Sequence, residues 1–114
     1  MKKLSLMLLI LSSVAFASNQ EEILEDRVEN NLMINLSKEL KYDIDYDVDI
    51  FQDKMNVELE IEGLREPKID CEKVSKDVLD IVKKDVPDIK DIDITIKYDQ
   101  PIGEDKILFN KRFM

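Results

Sequence analysis

The chain has 114 residues, 17 basic and 26 acidic, with no histidine and a single cysteine, Cys71. A net charge of −9 repels nucleic acid and anionic lipid. The missing imidazole removes histidine acid–base chemistry and the usual zinc and copper sites, and a lone thiol forbids an internal disulfide.

Residues 1–17 read as a secretory signal peptide. Met1-Lys2-Lys3 is basic, Leu4 to Leu11 is apolar except for Ser5, and Ser12 to Ala17 ends in an Ala-x-Ala site. The apolar run is far shorter than the ~20 residues a membrane helix needs, so no integral membrane segment is expected in the mature form. Position 18 is serine, so the usual lipoprotein acceptor cysteine is absent. The expected mature chain, Ser18–Met114, is exported to the periplasm or secreted. Its 97 residues suit one domain, and losing Lys2 and Lys3 leaves 15 basic against 26 acidic residues, a charge of −11. A charged partner should then be cationic: a basic protein, a polyamine or a divalent ion.

Ser18 to Leu40 predicts a helix capped by Ser18 or Asn19, with Glu21 and Glu22 in its positive first turn. Ile23, Leu24, Val28, Leu32, Leu36 and Leu40 form its apolar stripe. The period then changes to two. Tyr42, Ile44, Tyr46, Val48 and Ile50 alternate with Asp43, Asp45, Asp47 and Asp49, which is a strand with one wet face. Gln52-Asp53-Lys54 is the expected turn, and Val57-Glu58-Leu59-Glu60-Ile61-Glu62 alternates again before Gly63, giving an antiparallel hairpin. Asp70 caps a second helix with Val74, Val78, Leu79, Ile81 and Val82 on its apolar side, and Pro87 ends it. Asp91 to Tyr98 is a third alternating strand. Residues 101–114 form a C-terminal tail, with disorder, an added edge strand and a docking segment all open. The expectation is an α+β domain over residues 18–100, order αββαβ, with two helices packed on one face of a three-stranded sheet.

This pattern resembles the BON type of bacterial envelope domain from about Ile23 to Tyr98. Val57-x-Leu59 before Gly63, the helix from Val74 to Val82 and Ile89-x-x-Ile92-x-Ile94-x-Ile96 carry the resemblance. Met55-Asn56 stand where that family usually has a glycine. The cytoplasmic domain of cation-diffusion transporters has a similar ending, here Val86-Pro87-Asp88 and Ile92-Asp93-Ile94, but its metal-binding histidines have no counterpart. The BON resemblance implies phospholipid or envelope attachment and assigns no residue of this chain a role.

The candidate interaction face is the row Asp43, Asp45, Asp47 and Asp49, joined by Glu58, Glu60 and Glu62 on the partner strand. Like charges opposite one another oppose strand pairing, so a face this acidic carries a cost. Three readings follow: a solvated surface that resists aggregation, a docking face for a basic protein or envelope component, and a loose calcium-like site of oxygen ligands. No Asp-x-Asp-x-Asp-Gly loop is present. No catalytic residue, metal ligand or cofactor is assigned, and the chain is expected not to be an enzyme. The thiol of Cys71, at a helix start where the dipole lowers a thiol pKa, is expected to serve as a small core residue, with a mixed disulfide to another chain as the alternative.

Overall fold

The computed structural model describes residues 6–114, with side chains from Gln20 onward. The expected signal peptide over 1–17 lies outside the residues whose side chains are described. Helix α1 spans Leu6–Leu40. Its backbone is helical on both sides of Ser18, which corrects the expected start and cap there. Val28, Leu32 and Leu36, spaced by four, are fully buried as the stripe predicts, but Ile23 is 57% exposed and belongs to the outer side. Lys41, with φ of 59°, turns the chain out of the helix.

Strands β1 (Asp43–Phe51) and β2 (Lys54–Glu62) form the expected hairpin, with Phe51 opposite Lys54 across a two-residue turn. The turn needs a left-handed residue, and Gln52 supplies it at φ of 59°. Helix α2 (Cys71–Asp85) begins at Asp70, whose side chain accepts from the Lys73 N–H at 3.2 Å. Its Val74, Val78 and Val82 are buried, and Lys83 and Lys84 occupy the last turn, where the helix dipole favours cations. Strand β3 (Asp91–Asp99) runs parallel to β2.

The tail is a fourth strand, β4 (Lys106–Phe113), antiparallel to β3. The sheet therefore has four strands in the order β1-β2-β3-β4, not three. Ile107-Leu108-Phe109 hides this strand in the sequence, because a bulge here breaks the alternation: Ile96 faces Phe109 and Lys97 faces Ile107, leaving Leu108 over.

One apolar layer joins the sheet to the helices. Met55, Val57, Leu59 and Ile61 of β2 and Ile92, Ile94 and Ile96 of β3 are at most 1% exposed, in one cluster with Val28, Leu32 and Leu36 of α1 and Val78 and Val82 of α2. Full burial of each such side chain contributes about 1.5–3 kcal/mol. Among the described residues, no helix is long and apolar enough to cross a membrane.

The tyrosines place their rings inward and their hydroxyls on partners at the rim. Tyr98 donates to the Gly63 carbonyl at 3.0 Å, Tyr46 shares a hydrogen bond with Ser37 at 3.1 Å, and Tyr42 accepts from the Lys68 N–H at 3.2 Å.

α1 also closes the outer edge of β1. Glu29 Oε2 accepts from the Val48 N–H at 2.9 Å, and Glu25 Oε2 from the Ile50 N–H at 2.7 Å. An edge strand offers unpaired N–H groups to any passing strand, and here helix carboxylates occupy two of them. Burial, with Asp49, Glu29 and Glu21 nearby, raises the Glu25 pKa against the lowering effect of that hydrogen bond.

Candidate interaction face

The face of the sheet away from the core is where alternation sends the acids. The hairpin register sets Asp43 opposite Glu62, Asp45 opposite Glu60 and Asp47 opposite Glu58, while Asp49 faces Asn56. All four aspartates and Glu62 are exposed; Glu58 and Glu60 are half-buried. Three like-charged pairs thus stand directly across one strand pair, the arrangement that disfavours pairing. The inward residues of the same strands, fully buried along β2 and half-buried to buried along β1, hold the register against that repulsion.

β3 and β4 divide this surface into two ends. At the end where β2 and β3 begin, basic residues compensate the acids. Arg112 of β4 donates from Nε and from its terminal NH2 to the two oxygens of Asp91 at 2.8 and 2.6 Å, and Lys54 stands 3.9 Å from the same carboxylate. These bonds, Arg112 first, hold the Asp91 carboxyl below the usual aspartate value. Asn110 donates to Asp93 and Thr95, at 2.8 Å each. In the middle, Lys97 pairs with Glu58 at 2.9 Å.

At the opposite end the acids gather. One carboxylate oxygen from each of Asp45, Glu60 and Glu62 lies within 4.8 Å of the others, and the same holds for Glu60, Asp99 and Asp105. Burial first, then Asp105, Asp99 and Glu58, pushes the Glu60 carboxyl above its ordinary value. Burial, Asp105 and Asp45 do the same to Asp99. Both shifts have the sign expected of carboxylates that are partly desolvated and held close to other carboxylates.

Sequence reasoning missed Asp99 and Asp105. Asp99 continues the alternation of β3 by one step and was legible. Asp105 was not, because its place depends on how the Asp99–Lys106 loop returns.

A cleft lies elsewhere, on the helix side. It encloses about 530 Å³ between the end of α1 and the start of α2, and is lined by Glu39, Tyr42, Lys68, Asp70, Lys73 and Asp77 among others. Its charges compensate each other: Lys73 Nζ donates to Glu39 at 3.0 Å and Asp77 at 3.1 Å. Cys71, at the adjoining helix start, is half-buried rather than fully enclosed. Burial and the neighbouring Asp70 and Glu72 raise its thiol pKa, so the lowering expected from the helix dipole does not prevail.

No model of a known protein family matches the chain, and no curated protein is similar to it in sequence.

Proposed function

We propose that the protein is an exported, non-enzymatic binding module that docks a basic protein partner on the acidic end of its open sheet face. One observation carries this reading. The carboxylates of Asp45, Glu60, Glu62, Asp99 and Asp105 crowd one end of a surface whose other end is internally neutralised. A lysine- or arginine-bearing partner relieves that crowding, gains charge-assisted hydrogen bonds and is steered in by the field of the whole chain. Export follows from the basic, apolar and small-residue order of positions 1–17. The BON-type resemblance points to the same compartment, with an envelope component as the source of the partner.

A second reading rests on the same convergence: carboxylate oxygens this close form a loose seat for a divalent cation of the calcium kind. The two readings separate in one experiment. The protein and a variant with Asp45→Asn, Glu60→Gln and Asp99→Asn are used as bait in envelope extract at low and high salt, and both are melted with and without millimolar calcium. A partner lost in high salt and in the variant supports the docking face. A melting temperature raised by calcium in the parent alone supports the cation. A partner retained by the variant contradicts the assignment to this face.

A further inference from the structure

The cleft on the helix side is independent of the acidic face. Its volume of about 530 Å³ falls within the range of small-ligand sites. The fold builds it where two chain segments meet. Leu40 ends α1 and Lys41, with φ of 59°, turns the chain toward Tyr42, while Ile69 and Asp70 lead into the first turn of α2. Leu40, Tyr42, Ile69 and Val74 give the cleft an apolar wall, continuous with the core against which they pack.

The polar groups of the cleft divide by sign. Its three acids are engaged. Glu39 and Asp77 accept from Lys73 Nζ at 3.0 and 3.1 Å, and Asp70 accepts the Lys73 N–H at 3.2 Å as the cap of α2. The groups left over are donors. Lys41 and Lys68 also line the cleft, and among the described residues neither forms an ion pair. Both are exposed, and their flexible four-carbon stems let the ammonium groups converge. The Tyr42 hydroxyl accepts from the Lys68 N–H at 3.2 Å, and among the described residues its own hydrogen has no protein acceptor. Two ammonium groups and a phenol O–H therefore stand beside an apolar wall.

We propose that this cleft binds a small amphipathic carboxylate. Its apolar body lies against Leu40, Tyr42, Ile69 and Val74, and its head is held by Lys41, Lys68 and the Tyr42 hydroxyl. The ammonium groups give that head charge-assisted hydrogen bonds. The first turn of α2, where the helix dipole favours an anion, lies on the same wall. Glu39, Asp70 and Asp77 stand in the same cleft and repel a doubly charged head, which selects a single negative charge. This site is separate from the acidic end of the sheet, and the failure of either leaves the other standing.

The probe is sodium octanoate, titrated below its micelle-forming concentration into the isotope-labelled protein and followed through backbone amide resonances. Octanol, octylamine and octyl phosphate at pH 8 replace its head with a neutral, a cationic and a doubly anionic one. Saturable shifts centred on Leu40, Lys41, Tyr42, Ile69 and Val74 are expected, with octanoate bound about tenfold or more tighter than octanol or octylamine and tighter than octyl phosphate. The paired change Lys41→Gln and Lys68→Gln weakens octanoate by about tenfold and leaves octanol unaffected. Both lysines are surface side chains, so folding is preserved, with circular dichroism as the check. Tyr42→Phe keeps the ring and weakens octanoate by about threefold. The proposal is overturned if octanoate gives no saturable shift, if the shifts centre elsewhere, or if octanol binds as tightly. Octanoate binding undiminished in the lysine variant overturns it too, and tighter binding of octyl phosphate overturns the singly charged head.

Discussion

One surface of this sheet has two ends built from the same residue types and opposite in electrostatic outcome. At the start of β3, Asp91 is held by Arg112 and Lys54 and its carboxyl is acidified. At the finish of β3, Asp99 meets Asp105, Glu60 and Asp45 and its carboxyl is pushed the other way. The difference lies in what the neighbouring strands contribute: β4 brings Arg112 to one end, and its leading loop brings Asp105 to the other. An aspartate in an alternating strand is therefore structural or available for binding according to its register partner, not its own periodicity.

The deepest way to break this comparison is to remove the layer that carries both ends. Leu59 lies fully buried beneath the face, between Tyr46 and Ile96 in register. Leu59→Ala should cost about 2–5 kcal/mol in urea unfolding and disturb both ends together. Next in size is the edge closure. Glu29→Ala leaves the Val48 N–H without its acceptor and should cost about 1–3 kcal/mol, while Glu29→Gln, which keeps an acceptor oxygen, should cost less. Equal losses would place the role of Glu29 in its charge.

The two ends are then compared directly. Asp91→Asn should lower the melting temperature by weakening the grip of Arg112, whereas Asp99→Asn or Asp105→Asn should raise it by easing repulsion. Shifts of the same sign would remove the distinction between the ends. The smallest effect is in pH. Glu60 and Asp99 bind protons more tightly folded than unfolded, so below their ordinary values of 4.5 and 3.8 they do not penalise the fold, and as pH rises through their raised folded values the penalty appears. Asp91 has the opposite sign: its stabilisation is present above 3.8 and is lost as pH falls through its lowered folded value. Mild acidification from neutrality should therefore raise the melting temperature before stronger acid reverses the gain, and Asp99→Asn should shrink the rise.

Much of the fold was legible because its signals are local. Alternation placed β1, β2 and β3, the four-residue spacing placed Val28, Leu32 and Leu36, and Asp70 marked the start of α2. β4 was left open because the bulge at Leu108 interrupts the period that would have revealed it. The start of α1 was missed because a cap at Ser18 was inferred from residue type, and Ser18 is followed and preceded by helix. For the face, the opposed acids of β1 and β2 followed from the hairpin alone. Its division into two ends did not, because Arg112, Lys54 and Asp105 act on it through pairings that only the assembled sheet creates.

The most direct test of the proposed docking end is a titration of the isotope-labelled protein with a short lysine-rich peptide, followed through backbone amide resonances. The account predicts salt-sensitive shifts centred on Asp45, Glu60, Glu62, Asp99 and Asp105, with Asp91 and Asp93 undisturbed. Shifts spread evenly over the face, or centred at the Asp91 end, would contradict it.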